Sequence, residues 1–71
     1  MNTKRKKITF SQKEKEILQL ISNGYTSNEI ATELNISFAS VQSAVREMLN
    51  KTLILNRAQL VRYGFEQGYL K

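Results

Sequence analysis

Ser11 with Glu14 and Thr26 with Glu29 write the same four-residue signal twice, each just ahead of an apolar run at helical spacing. In this signal the hydroxyl accepts from the backbone N–H three residues on, and the glutamate reaches back to the hydroxyl residue's own N–H. Two helix starts are thereby fixed so close together that only a short helix fits between them. The first is read over about 11 to 23, where Ile17, Leu18 and Ile21 share a face and Asn23-Gly24 supplies a stop. The second is read over 27 to 34 on Ile30, Ala31 and Leu34, before Asn35. Ser37 can cap a third helix over 38 to 51, whose Val41, Val45 and Met48 fall on one stripe. Asn56 can cap a fourth, ending near Gly68, with Ala58, Val61 and Phe65 read as its inward face. Leu53-Ile54-Leu55 is too short for a strand and is read as a buried connector, and Tyr69 and Leu70 are read as closing the core.

The expected fold class is therefore all-α, a four-helix bundle without strands. With 71 residues there is room for one domain, read over 8 to 71, and for no roomy catalytic cleft. The chain has no Cys, His, Trp, Pro or Asp, and all six acidic residues are Glu. These absences remove thiol and imidazole metal ligands, Cys and His nucleophile chemistry, the Ser-His-Asp triad and any disulfide. No catalytic residue, metal or cofactor is expected. No apolar run approaches the roughly 20 residues of a membrane span, so a soluble, cytoplasmic protein is expected.

The net charge of +5 points to an anionic partner, but Lys4, Arg5, Lys6 and Lys7 supply most of it. The rest of the chain carries seven positive and six negative side chains, a net of +1. Residues 1–7 read as a disordered basic arm. Such an arm can follow phosphates or enter a minor groove, or equally serve as a solubilising tail or a linker remnant.

The second and third helices, joined by a short turn, have the spacing of a DNA-binding helix-turn-helix, a spacing that any small helical bundle can also show. Projected at about 100° per residue with Val41 inward, the third helix turns Ala39, Ser43, Arg46 and Asn50 outward, flanked by Gln42 and Glu47. Gln42 and Arg46, one turn apart, are the candidate base readers: glutamine pairs with adenine and arginine with guanine in the major groove. An ordinary solvated helix face is the plain alternative.

The succession Phe10-Ser11, Lys13-Glu14, Glu16-Ile17-Leu18, Leu20-Ile21, Gly24, Thr26, Glu29-Ile30-Ala31, Leu34, Ile36-Ser37, Ser40-Val41, Val45, Lys51, Asn56-Arg57, Leu60-Val61 and Gly68 is far more specific. It resembles the LuxR/FixJ/GerE type of helix-turn-helix, over about residues 8 to 70. The resemblance implies a four-helix DNA-binding domain of bacterial type, with the positions of Gln42, Ser43 and Arg46 facing bases. It also implies a phosphate clamp at Lys51 and dimerisation through the last helix. Thr26, Ser37 and Ser40, at helix starts, are further candidate phosphate contacts, together with Lys4, Arg5, Lys6 and Lys7. For Thr26 and Ser37, capping alone accounts equally well. Four positions depart from the family pattern: Gln42 stands for its usual Lys, Ala44 for a frequent His, Glu47 for a common Asn, and Thr52 for an apolar residue. Arg46 and Lys51 against Glu47 leave the third helix at +1.

Leu60, Tyr63 and Gln67, with Gly64 at their edge, are read as lying off the core axis of the fourth helix and as the interface of a weak homodimer. Packing under the Leu53 to Leu55 connector is the alternative reading of Leu60 and Tyr63. Gly64 costs about 1 kcal/mol relative to Ala in a helix interior, which suits a site where another helix approaches closely.

The leading expectation is a sequence-specific DNA-binding transcription regulator of double-stranded DNA, acting as a dimer, with RNA polymerase or a full-length regulator as a further partner. Met1 directly before the basic tail favours a free-standing effector domain over a fragment of a longer regulator. The alternative is a DNA-binding-impaired helix-turn-helix that pairs with a full-length regulator. A third candidate, a piece like region four of a sigma factor, fits the fourth helix and the Asn56-Arg57 junction less well. An enzyme is not expected.

Overall fold

The computed structural model describes residues 8–71, and the basic arm with Lys4, Arg5, Lys6 and Lys7 lies outside the described residues. Four helices follow in order: α1 (Gln12–Ser22), α2 (Ser27–Leu34), α3 (Phe38–Thr52) and α4 (Arg57–Glu66). Their starts are those written in the sequence. Ser11 Oγ accepts from Glu14 N at 3.1 Å while Ser11 N donates to Glu14 Oε1 at 2.8 Å, and Thr26 and Glu29 repeat the exchange at 3.2 and 2.8 Å. Ser37 and Asn56 cap α3 and α4 through the backbone N–H of Ser40 and Gln59.

The helix ends share a second device. After each, one residue adopts positive φ: Gly24 (93°), Asn35 (57°), Leu53 (59°) and Gly68 (81°). The next N–H then reaches back five residues, Tyr25 to Leu20, Ile36 to Ala31, Ile54 to Leu49 and Tyr69 to Gly64, at 2.8 to 3.2 Å. This closure satisfies an orphan carbonyl at each end, and Ile36, Ile54 and Tyr69 are thereby packed against the core while Tyr25 stays exposed. Asn tolerates the left-handed region and Gly24 needs no Cβ there, but Leu53 has no such allowance.

α3 packs against α1, α2 and α4, and the core forms around it. Ile17 and Leu18 from α1, Ile30 from α2 and Val41 and Met48 from α3 are fully buried, with Val45 nearly so. Phe10 before α1 and Leu70 after α4 close the ends, and the Phe10 and Tyr69 rings stack at 5.0 Å. Thr52, a departure from an apolar position, keeps its hydroxyl bonded to the carbonyls of Met48 and Leu49 at 2.8 and 3.2 Å, so no donor is stranded.

The structure departs from the sequence pattern in two places. α4 faces the core with Leu60 and Gly64, with Val61 half-buried against it as expected, and not with Ala58 and Phe65; Leu60 is 0% exposed, whereas Phe65 is 50% exposed and Ala58 lies open. Helical periodicity offered two apolar stripes on this short helix, and the small Gly64 decides between them. A Cβ built there would lie 2.8 Å from Leu18 Cδ2 and from Leu70 Cδ1, so Gly64 is where α4 meets α1 and the chain end most closely. The close approach expected of a second copy is made within the chain. Secondly, Leu53 (88% exposed) and Leu55 (89%) are not a buried connector; only Ile54 between them is partly covered. Leu53 serves as the left-handed stop of α3, which turns its side chain outward.

Candidate nucleic-acid interface

α3 spends its inward stripe on the core and leaves the opposite one bare. Ala39, Ser43, Arg46, Glu47 and Asn50 are exposed, as projection at helical spacing expects. Ala39 and Ser43 keep the N-terminal half of this stripe low, and Arg46 belongs to neither ion pair among the described residues. Such a surface is small at one end and carries, a turn later, a guanidinium outside both ion pairs, the features that a helix needs to enter a groove and donate to base edges.

Gln42 sits at the margin of the stripe, half-buried and already engaged. Its Oε1 accepts from Ser27 Oγ at 2.9 Å and from Arg57 Nη2 at 3.2 Å. Arg57 Nη2 donates to Ser27 Oγ as well, at 2.9 Å, so the starts of α2 and α4 are tied to α3 through one polar cluster. Arg57 enters the sequence reading only through the Asn56-Arg57 pair and not as a site residue, although a signal for such a role is present. A cation in the first turn of a helix opposes the helix dipole, and its presence there calls for another use.

The candidate phosphate contacts are spread around this helix and most have duties inside the protein. Lys51 Nζ donates to Glu14 Oε1 at 3.0 Å and to Thr9 O at 2.9 Å, and lies 5.4 Å from the Phe10 ring centroid. It fastens the end of α3 to the start of α1, with its charge matched by the buried Glu14. Ser37 accepts from Ser40 N and donates to Ser40 Oγ, both at 3.0 Å, so the two serines form one cap. Ser40 retains its own hydroxyl proton for a further acceptor. Thr26 caps α2 beside the Glu29 carboxylate, which places negative charge where a phosphate would otherwise be favoured. Of the residues expected at a dimer interface, Leu60 and Gly64 are corrected to the core. Tyr63 is half-buried, its ring centroid 6.0 Å from that of Phe10, and only Gln67 is fully open.

The arrangement has known counterparts. Residues 8–64 match the GerE family, described as bacterial regulatory proteins of the luxR family. Over 64 residues the chain is 41% identical to the probable transcriptional regulator ycf29 of Pyropia yezoensis, covering 90% of this chain and 29% of the relative. It is 33% identical over 61 residues to the transcriptional regulatory protein DesR of Bacillus subtilis, covering 86% of this chain and 31% of DesR. The chain thus spans less than a third of the length of the curated relatives it matches. The solved structure of the transcription factor GerE superposes with a TM-score of 0.85 at 26% identity, covering 87% of this chain and 92% of GerE. A match through most of the chain, carried by the same four helices, settles the classification: the chain belongs to the LuxR family of bacterial regulatory proteins, with their all-α helix-turn-helix fold.

Proposed function

We propose that this chain is a sequence-specific DNA-binding transcription regulator that lays α3 in the major groove of double-stranded DNA and pairs with a second copy through α4. The observation that carries this reading is the outward stripe of α3. A helix held by three others leaves Ser43, Arg46 and Asn50 exposed, with Arg46 free to donate. Ser43 and Arg46 face bases, Gln42 reaches them from the margin, and Ser40 and the basic arm at Lys4 to Lys7 supply phosphate contacts. The surface available to a second copy is the outer side of α4, Ala58 and Phe65 with the half-buried Val61 at its edge, not Leu60 and Gly64. A twofold pair through this side would double every contact with a palindromic site.

Selection from randomised duplex DNA at about 50 mM and about 200 mM salt tests the reading, because nonspecific binding is lost steeply with salt. The expected result is an enriched site with two related half-sites that survives the higher salt. Binding without enrichment that vanishes at the higher salt would refute it. A second reading is favoured by one specific observation: with Lys51 paired to Glu14 and Glu47 exposed, α3 offers little free positive charge. In that reading the chain pairs with a full-length regulator instead of binding DNA itself. Self-association without retardation of any duplex would decide for it.

A further inference from the structure

Gln42 does not hang free from α3. Its Oε1 accepts from Ser27 Oγ at 2.9 Å and from Arg57 Nη2 at 3.2 Å, while the same Nη2 donates to Ser27 Oγ at 2.9 Å. The direction of the amide is fixed by chemistry. A guanidinium has only donors, so the amide atom facing Arg57 must be the oxygen. That oxygen has two lone pairs and both are engaged. What remains for anything outside the protein is Nε2, with two N–H donors and no acceptor.

We propose that Gln42 reads DNA as a donor only and selects guanine, in place of the adenine that a free glutamine selects. The proposal rests on the placement of α3 in the major groove and adds to it the identity of a base. Paired bonding to adenine needs one amide to donate to N7 and accept from N6. Here acceptance would require Oε1 to leave Ser27 and Arg57, stripping a half-buried guanidinium of an acceptor. Guanine asks for nothing of the kind, because its N7 and O6 both accept. Adenine N7 and thymine O4 each offer a single acceptor, and cytosine presents a donor against a donor. The nearby positive charge of Arg57 also polarises the amide and strengthens the Nε2 donors. Gln42 thus does with a masked oxygen what a lysine at that position would do by having no acceptor at all.

The test uses the full chain and a site obtained by selection from randomised duplex DNA. Affinities are measured for duplexes carrying each of the bases at every position of the half-site, and Gln42→Ala identifies the position whose preference it flattens. At that position the unaltered chain is expected to prefer guanine over adenine by about tenfold. Gln42→Lys, another donor-only side chain, is expected to keep guanine. Ser27→Ala combined with Arg57→Met frees Oε1 and is expected to move the preference toward adenine. Circular dichroism checks that each variant is folded, and the Gln42→Lys comparison stands alone where the double variant is not. Adenine preferred by the unaltered chain overturns the donor-only reading and leaves the groove placement of α3 standing. So does an enriched site in which Gln42→Ala alters no position. If no site is enriched at all, the placement of α3 fails and the reading of Gln42 falls with it.

Discussion

Truncating Leu60 and Phe65 one at a time weighs the two faces of α4 against each other. Leu60 is fully buried, and Leu60→Ala removes three carbons from the core; transfer alone costs about 2.4 kcal/mol at roughly 0.8 kcal/mol per methylene. The cavity left in the core raises the total to about 3–5 kcal/mol. Phe65 is 50% exposed, and Phe65→Ala forfeits about 1 kcal/mol of partial burial. A chain of 71 residues has a total stability of about 4–10 kcal/mol, so Leu60→Ala consumes a large share of it and Phe65→Ala does not. Urea titration followed by circular dichroism, at a protein concentration low enough for monomers, reads both. At about 4–8 °C per kcal/mol, a thermal scan should show Leu60→Ala melting at least about 12 °C lower and Phe65→Ala only a few degrees lower. Equal losses, or a larger loss for Phe65→Ala, would mean that α4 faces the core with the stripe suggested by its spacing and would refute the inward placement of Leu60. Repeated at high concentration, Phe65→Ala should lower self-association, whereas Leu60→Ala should act on folding alone.

Leu53→Gly removes a Cβ from a left-handed position where the side chain is 88% exposed; it should stabilise the chain by about 0.5–1 kcal/mol in the same titration, with little packing to lose. Gly64→Ala gains about 1 kcal/mol of helix propensity but drives a Cβ into Leu18 and Leu70 at 2.8 Å, and a net loss of about 1 kcal/mol is expected on thermal melting. Lys51→Met leaves the buried Glu14 with the Ser11 N–H but without its cation, at a cost of about 1–3 kcal/mol; adding Glu14→Gln should return part of it in a double-mutant cycle. Arg46→Ala should leave the melting temperature unchanged and relax preference at one base-pair position by about 1–3 kcal/mol, read by competition binding.

The helix starts were legible because each is written by a side chain that bonds within three residues of itself. Ser11, Thr26, Ser37 and Asn56 needed no tertiary information. The stop at Leu53 was not legible, since nothing in a leucine announces positive φ; the surrounding fold imposes it. The orientation of α4 was lost for a different reason. Ala58, Val61 and Phe65 together outweigh Leu60 on hydrophobicity, and the close approach of Leu18 and Leu70 to Gly64 turns the helix so that Val61 stays at the edge of the core while Ala58 and Phe65 face out. On α3 the outward stripe was readable by projection alone, because its inward residues are unambiguous. The contacts that occupy Gln42 and Lys51 were beyond reach, as both depend on which residues of other helices come within 3.2 Å.

The segment beyond α4 separates two boundaries that are easily treated as one. The family match stops at residue 64, yet Leu70 is 6% exposed and packs on Gly64, and Tyr69 stacks on Phe10 before α1. The stretch matched by the family description is therefore shorter than the unit that folds, and relatives align over more of the chain than that stretch. A chain cut after Gly64 would keep every residue of the outward side of α3 and lose the plug over Leu18. The outward side of α3 would be intact on a scaffold that has lost part of its core, and a domain cut to residues 8–64 would fail for want of its last seven residues.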